Sequence, residues 1–162
     1  MLKLYLSSAV VIGLTLSACV IAFPGRRAVP LPRWRLALPA LLVAAAMLLF
    51  LRLPPFNDLR EPEVWMIGLP FVMVGIARGA LIGLQVDHGQ GKLLLHRAPE
   101  GFWIPVAAVL LVLVDVVIDP IGRPGSEFSR TVELALMVLA CFLVGRDATI
   151  LVRSRDIPQH DL

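Results

Sequence analysis

Three ionisable side chains stand inside apolar stretches of this chain: Arg78, Asp115 and Glu133. A charged group in hydrocarbon is costly, so it faces a partner, a cavity or an aqueous path, and it is a functional candidate by default. Strung through a bilayer, such groups move protons or ions. Paired near an interface, they fix the positions of helices. Depth counting sets Asp115 and Glu133 toward one face, where the two carboxyls can approach each other. Arg78 lies deeper and closer to the opposite face, so an ion pair with either acid stays open. The first expectation is a structural role. The alternative is a small homo-oligomeric transporter or channel that uses Arg78, Asp115 and Glu133.

The remaining reactive residue types form no catalytic constellation. Cys19 and Cys141 both lie in apolar runs and neither belongs to a C-x-x-C pair, so a thiol–disulfide exchanger lacks its resolving thiol. They read as small hydrophobes. Asp87, His88 and His96 match no standard metal spacing and no cysteine accompanies them. His88, His96 and His160 all fall outside the apolar runs, so no pair of intramembrane imidazoles is available to clamp a haem. Gly89-Gln90-Gly91-Lys92 is too short for a phosphate-binding Walker loop, and Leu93 stands where that loop needs Ser or Thr. Ser, His and Asp form no nucleophile pattern. The chain therefore reads as non-catalytic, with no cofactor and no metal.

The elements that position these residues are five apolar stretches, roughly 2–23, 34–51, 64–84, 102–118 and 131–152. A hydrocarbon core of about 30 Å needs about 20 apolar residues at a helical rise of 1.5 Å. The composition agrees, with 58% hydrophobic and 17% charged residues and a mean hydropathy of +0.83. The expected fold is an all-α membrane protein, a single domain of five transmembrane helices in 162 residues. Alternation before a Gly-rich turn, and an apolar run after it, place a small β-hairpin over 85–97, between the third and fourth spans. The net charge of +3 belongs to the loops of a membrane protein rather than to a nucleic-acid surface. Leu16-Ser17-Ala18-Cys19 matches a lipobox, but the strong positive charge follows that segment at Arg26 and Arg27. This reverses signal-peptide polarity, and a retained first span is expected.

Five alternating spans divide the basic residues between two faces. One face receives five, Lys3, Arg52, Arg60, Arg123 and Arg130. The other receives nine: Arg26, Arg27, Arg33, Arg35, Lys92, Arg97, Arg146, Arg153 and Arg155. Short loops rich in Lys and Arg stay cytoplasmic, which sets the N-terminus outside and the C-terminus and hairpin inside. Trp34, Trp65 and Trp103 fall at span ends, where an indole keeps its N–H among headgroups.

Glycines 75, 79 and 83 form a G-x-x-x-G-x-x-x-G ridge on the third span. Without Cβ atoms there, another backbone approaches closely, and such packing supplies much of the association energy in lipid. The facing helix belongs either to a second chain or to this one. In both cases the third span is expected at the centre of the bundle.

The order of parts resembles the CcdC-like family of small polytopic bacterial membrane proteins associated with cytochrome c biogenesis. A first span leads into the basic, proline-containing loop Gly25-Arg26-Arg27-Ala28-Val29-Pro30 and an apolar second span. A glycine-bearing third span then ends in an extended Leu84-Gln85-Val86-Asp87, and Lys92–Arg97 returns the chain to the membrane. The resemblance implies an accessory or assembly subunit of a larger complex in the bacterial inner membrane. Its partners would be the lipid bilayer and other membrane subunits or a second copy, with no nucleic acid.

Overall fold

An apolar run in hydrocarbon has one local way to satisfy its own N–H and C=O groups, which is the α-helix. The computed structural model describes residues 2–23, 31–51, 62–87, 92–96, 98–118 and 127–156, and it is mostly helical. The helices are α1 (Leu2–Ala22), α2 (Arg33–Leu51), α3 (Pro62–Leu81), α4 (Glu100–Ile118) and α5 (Glu127–Asp156). Three of them contain stretches long and apolar enough to cross a membrane: Arg33–Leu51, Glu100–Val117 and Arg130–Arg155. α1 and α3 contribute shorter apolar stretches, Ala9–Ala22 and Trp65–Leu81.

The helix boundaries follow from their end residues. Pro62 opens α3, where a missing N–H costs nothing and φ is already helical. Glu100 sits in the first turn of α4, its carboxylate favoured by the positive end of the helix dipole. Arg153 and Arg155 occupy the last turn of α5, where cations are favoured. At 30 residues α5 is about 45 Å long, so it reaches past the ends of its neighbours.

A three-stranded sheet of order β1-β3-β2 covers one end of the bundle. It is built from β1 (Leu31–Pro32), β2 (Gly83–Asp87) and β3 (Lys92–His96). β2 and β3 form the hairpin, antiparallel from Gly83↔His96 to Asp87↔Lys92. β1 adds to the free edge of β3 through Leu31↔Leu93 and Pro32↔Lys92. The connection after α1 and the connection after α3 therefore lie at the same end. Phe23 and Phe102 meet edge to face there, with centroids 5.8 Å apart, and bring the end of α1 against the start of α4.

The core occupies the space between α1, α2, α4 and α5, with Val11, Val43, Val112, Leu136 and Met137 among its buried members. A smaller cluster, Leu36, Ile82, Leu93 and Ile150, lies under the sheet. α5 is the central element, packed on α2, α3 and α4. The expectation that the third span lies central is overturned. α3 packs chiefly on α5 and presents Met66, Leu69, Met73 and Leu81 outward. A glycine ridge demands one close neighbour, and one is all that α3 has.

Hydroxyls along the helices bond back to their own backbone. Thr15 Oγ1 donates to Val11 O at 3.0 Å, Thr149 Oγ1 to Gly145 O at 2.8 Å, and the exposed Ser17 Oγ to Gly13 O at 2.7 Å. A hydroxyl on a surface bathed by water has no need of this; one facing hydrocarbon has no alternative.

Candidate functional site

Two glycine-bearing faces create the site by bringing α3 and α5 backbone to backbone. A β-carbon on Gly75 would collide with Phe142 O and stand 2.9 Å from Arg146 N. One on Gly79 would stand 2.6 Å from Arg146 O and 2.9 Å from Thr149 Cβ. α5 reciprocates at Gly145, where a β-carbon would collide with Val72 O. Residue numbers rise together along both helices, so α3 and α5 run parallel, as they must if α4 returns between them. Gly83 departs from the expected ridge. The helix ends at Leu81, and Gly83 opens β2 opposite His96, since the chain turns extended to build the hairpin.

The Arg146–Asp147 pair was expected in a C-terminal tail on the charge count, yet it stands inside α5 and is buried. Arg146 is 2% exposed and Asp147 3%. The Arg146 backbone is gripped between Gly75 and Gly79, while its guanidinium reaches across to α4. Gly101 makes room for it: a β-carbon there would stand 2.8 Å from Nη2 and 3.2 Å from Nη1. Asp147 Oδ1 lies 2.8 Å from Nη2, an ion pair that lowers the cost of burying both charges. Among the described residues, Nε and Nη1 meet no acceptor. A buried donor without a partner costs about 1–3 kcal/mol, more when charged. The pair borders a small chamber of about 30 Å³ beneath the sheet, whose walls include Leu31, Arg35, Leu95 and Gly101.

The sequence signal for this pair was present in Gly145-Arg146-Asp147. Two adjacent opposite charges inside an apolar run, next to a glycine, mark a buried polar layer at a close helix contact. Counting arginines alone moved Arg146 out to the loop ledger.

The expected intramembrane trio is divided between the two ends of the bundle. Arg78, in the last turn of α3, forms an ion pair with Glu100 in the first turn of α4 at the sheet end. Asp115 near the end of α4 and Glu133 near the start of α5 are both buried, 8% and 2% exposed, at the opposite end. Between the two ends lies the apolar layer containing Met137, Ala140 and Leu143. Arg153 adds a second tie at the sheet end, donating from Nη1 to Gly79 O at 2.7 Å and to Ile82 O at 3.0 Å. These are end carbonyls of α3, which have no partner within their own helix.

The other sequence candidates are dispersed. Cys19 on α1 and Cys141 on α5 are free, half-buried thiols. Only the backbone of Asp87 and His96 is described, as opposite ends of the hairpin ladder. His88, the Gly89-Gln90-Gly91 turn and His160 lie outside the described residues, as do Arg26, Arg27, Arg52, Arg60, Arg97 and Arg123. The sequence reading did not anticipate the open groove of about 690 Å³ between α4 and α5, walled by Leu110, Leu111, Val114, Leu134 and Val138. No protein-family model, curated protein or solved structure matches the chain.

Proposed function

We propose that this chain is an integral membrane protein of five spans, without catalytic activity, acting as an accessory or assembly subunit of a larger complex in the bacterial inner membrane. Several observations support the membrane part of the reading. The outward surfaces of α3 and α4 are apolar, with Met66, Met73, Leu110 and Val117 exposed, while Arg146, Asp147, Asp115 and Glu133 are buried. That distribution suits hydrocarbon and is the reverse of what water favours. The β1–β3 pairing keeps the first and third connections together, as five alternating crossings require.

Orientation follows from the sheet end. It carries Arg33, Arg35, Lys92, Arg153 and Arg155, and exposed Trp34 and Trp103 flank it on the first turns of α2 and α4. Basic connections beside an aromatic belt favour the cytoplasmic side, with the N-terminus outside.

The observation that carries the accessory role is the position of α3. One face is locked to α5 by glycines, and the other offers Met66, Leu69, Met73 and Val74 unpaired by the rest of the bundle. Flexible methionines on a helix exposed at the rim adapt to a partner helix. The CcdC-like order of parts points the same way. Conduction through Arg78, Asp115 and Glu133 finds less support, because the trio is split by an apolar layer.

Gentle extraction in native lipid followed by mass analysis tests the proposal. A particle heavier than the lone chain is expected, broken up by Met66→Arg with Met73→Arg. A strictly monomeric particle, unaltered by those changes, would sink it.

A further inference from the structure

The chamber under the sheet holds more positive charge than its own carboxylate balances. Arg146 and Arg35 both border it, against the single acid Asp147. Asp147 engages the guanidinium at Nη2, leaving Nη1 and Nε without acceptors among the described residues. Gly101 keeps the guanidinium tip at the chamber wall instead of burying it under a side chain. At about 30 Å³ the space accepts roughly two water molecules, or one ion little larger than water. A tetrahedral phosphate does not fit. The remaining wall is largely apolar, with Ala22, Leu36 and Leu95 among its members, so a bound ion is stripped of most of its water. Such a setting strengthens attraction to a guanidinium.

We propose that this chamber is a binding site for one monatomic monovalent anion of halide size. It accepts a hydrogen bond from Arg146 Nη1, with the positive charge of Arg35 closing the balance. The anion joins α2, α4 and α5 under the sheet and serves as a structural ion of the sheet end. The site goes beyond the accessory role and stands or falls apart from it.

The test uses the full chain in phosphatidylcholine nanodiscs, with chloride exchanged for gluconate at constant ionic strength. Chloride and bromide are expected to raise the thermal midpoint by roughly 3–5 °C over a hundredfold concentration range. Arg35→Gln, on a half-buried side chain, should leave the protein folded and weaken the halide dependence about tenfold. Crystals grown in bromide should show an anomalous peak beside Arg146 and Gly101. A midpoint indifferent to halide overturns the proposal, which would make the chamber a water site. So does a response to phosphate or to added phosphatidylglycerol alone. A halide effect unchanged in both Arg35→Gln and Arg146→Gln overturns it as well.

Discussion

Gly101 stands against the guanidinium of Arg146: a β-carbon on the glycine would come 2.8 Å from Nη2. A residue in the first turn of α4 thus sets the resting place of a side chain from the middle of α5. Because the conflict is with the tip of a side chain, it disappears when that side chain is shortened. Gly101→Val should lower stability by about 1–3 kcal/mol, and in an Arg146→Met background most of that loss should vanish. Unfolding in detergent of the two single variants and the double variant measures the coupling. Additive losses would mean that the two residues do not meet.

Asp147 compensates a charge that cannot reach water. Replacing it by Ala leaves the Arg146 guanidinium buried beside an empty acceptor position, a loss of about 3–5 kcal/mol. Arg146→Met together with Asp147→Leu should restore most of that stability, since apolar pairs of similar volume often replace buried ion pairs without penalty. Thermal midpoints of the single and double variants decide it.

The glycines of α3 are not equivalent. At Gly75 a new methyl meets the Phe142 carbonyl, which cannot step aside without moving α5. At Gly68 it meets the Met137 side chain, 2.7 Å from Cε, and a thioether can swing away. Gly75→Ala should cost about 2–3 kcal/mol, and Gly68→Ala under about 1. Equal losses at the two positions would contradict the backbone-to-backbone contact.

Arg153 holds the end of α3 through two carbonyls. Arg153→Met keeps the stem and removes both bonds, for a loss of about 1–2 kcal/mol. Amide exchange should accelerate at Ile82 and Gly83 more than in the middle of α3. Uniform acceleration along the helix would assign Arg153 a different role.

Much of the architecture was legible because hydrocarbon imposes simple rules. Apolar runs of about the right length became helices, and the alternation around 85–95 became β2 and β3. The parts that escaped depend on which helix faces which. The Gly75–Gly79 ridge announces a close neighbour without naming it, so the position of α3 at the rim was hidden. β1 is two residues long and includes Pro32, too little for any periodic signal; it forms because β3 offers an unpaired edge. Arg78 carried its charge visibly, but its partner Glu100 lies beyond the hairpin, where only the folded chain brings it near. Arg146 escaped because its burial is a property of the α3–α5 contact and not of its own neighbourhood in sequence.

The strand order β1-β3-β2 bears on how the protein is made. β1 leaves the ribosome long before its partner, and its backbone groups stay unmet until Lys92 and Leu93 have been synthesised. The first pair of helices therefore inserts with an unfinished end, and the middle strand closes it from the later half of the chain. Truncation upstream of β3 should leave a product that inserts but stays vulnerable to proteolysis between α1 and α2, whereas truncation just after it should protect that connection.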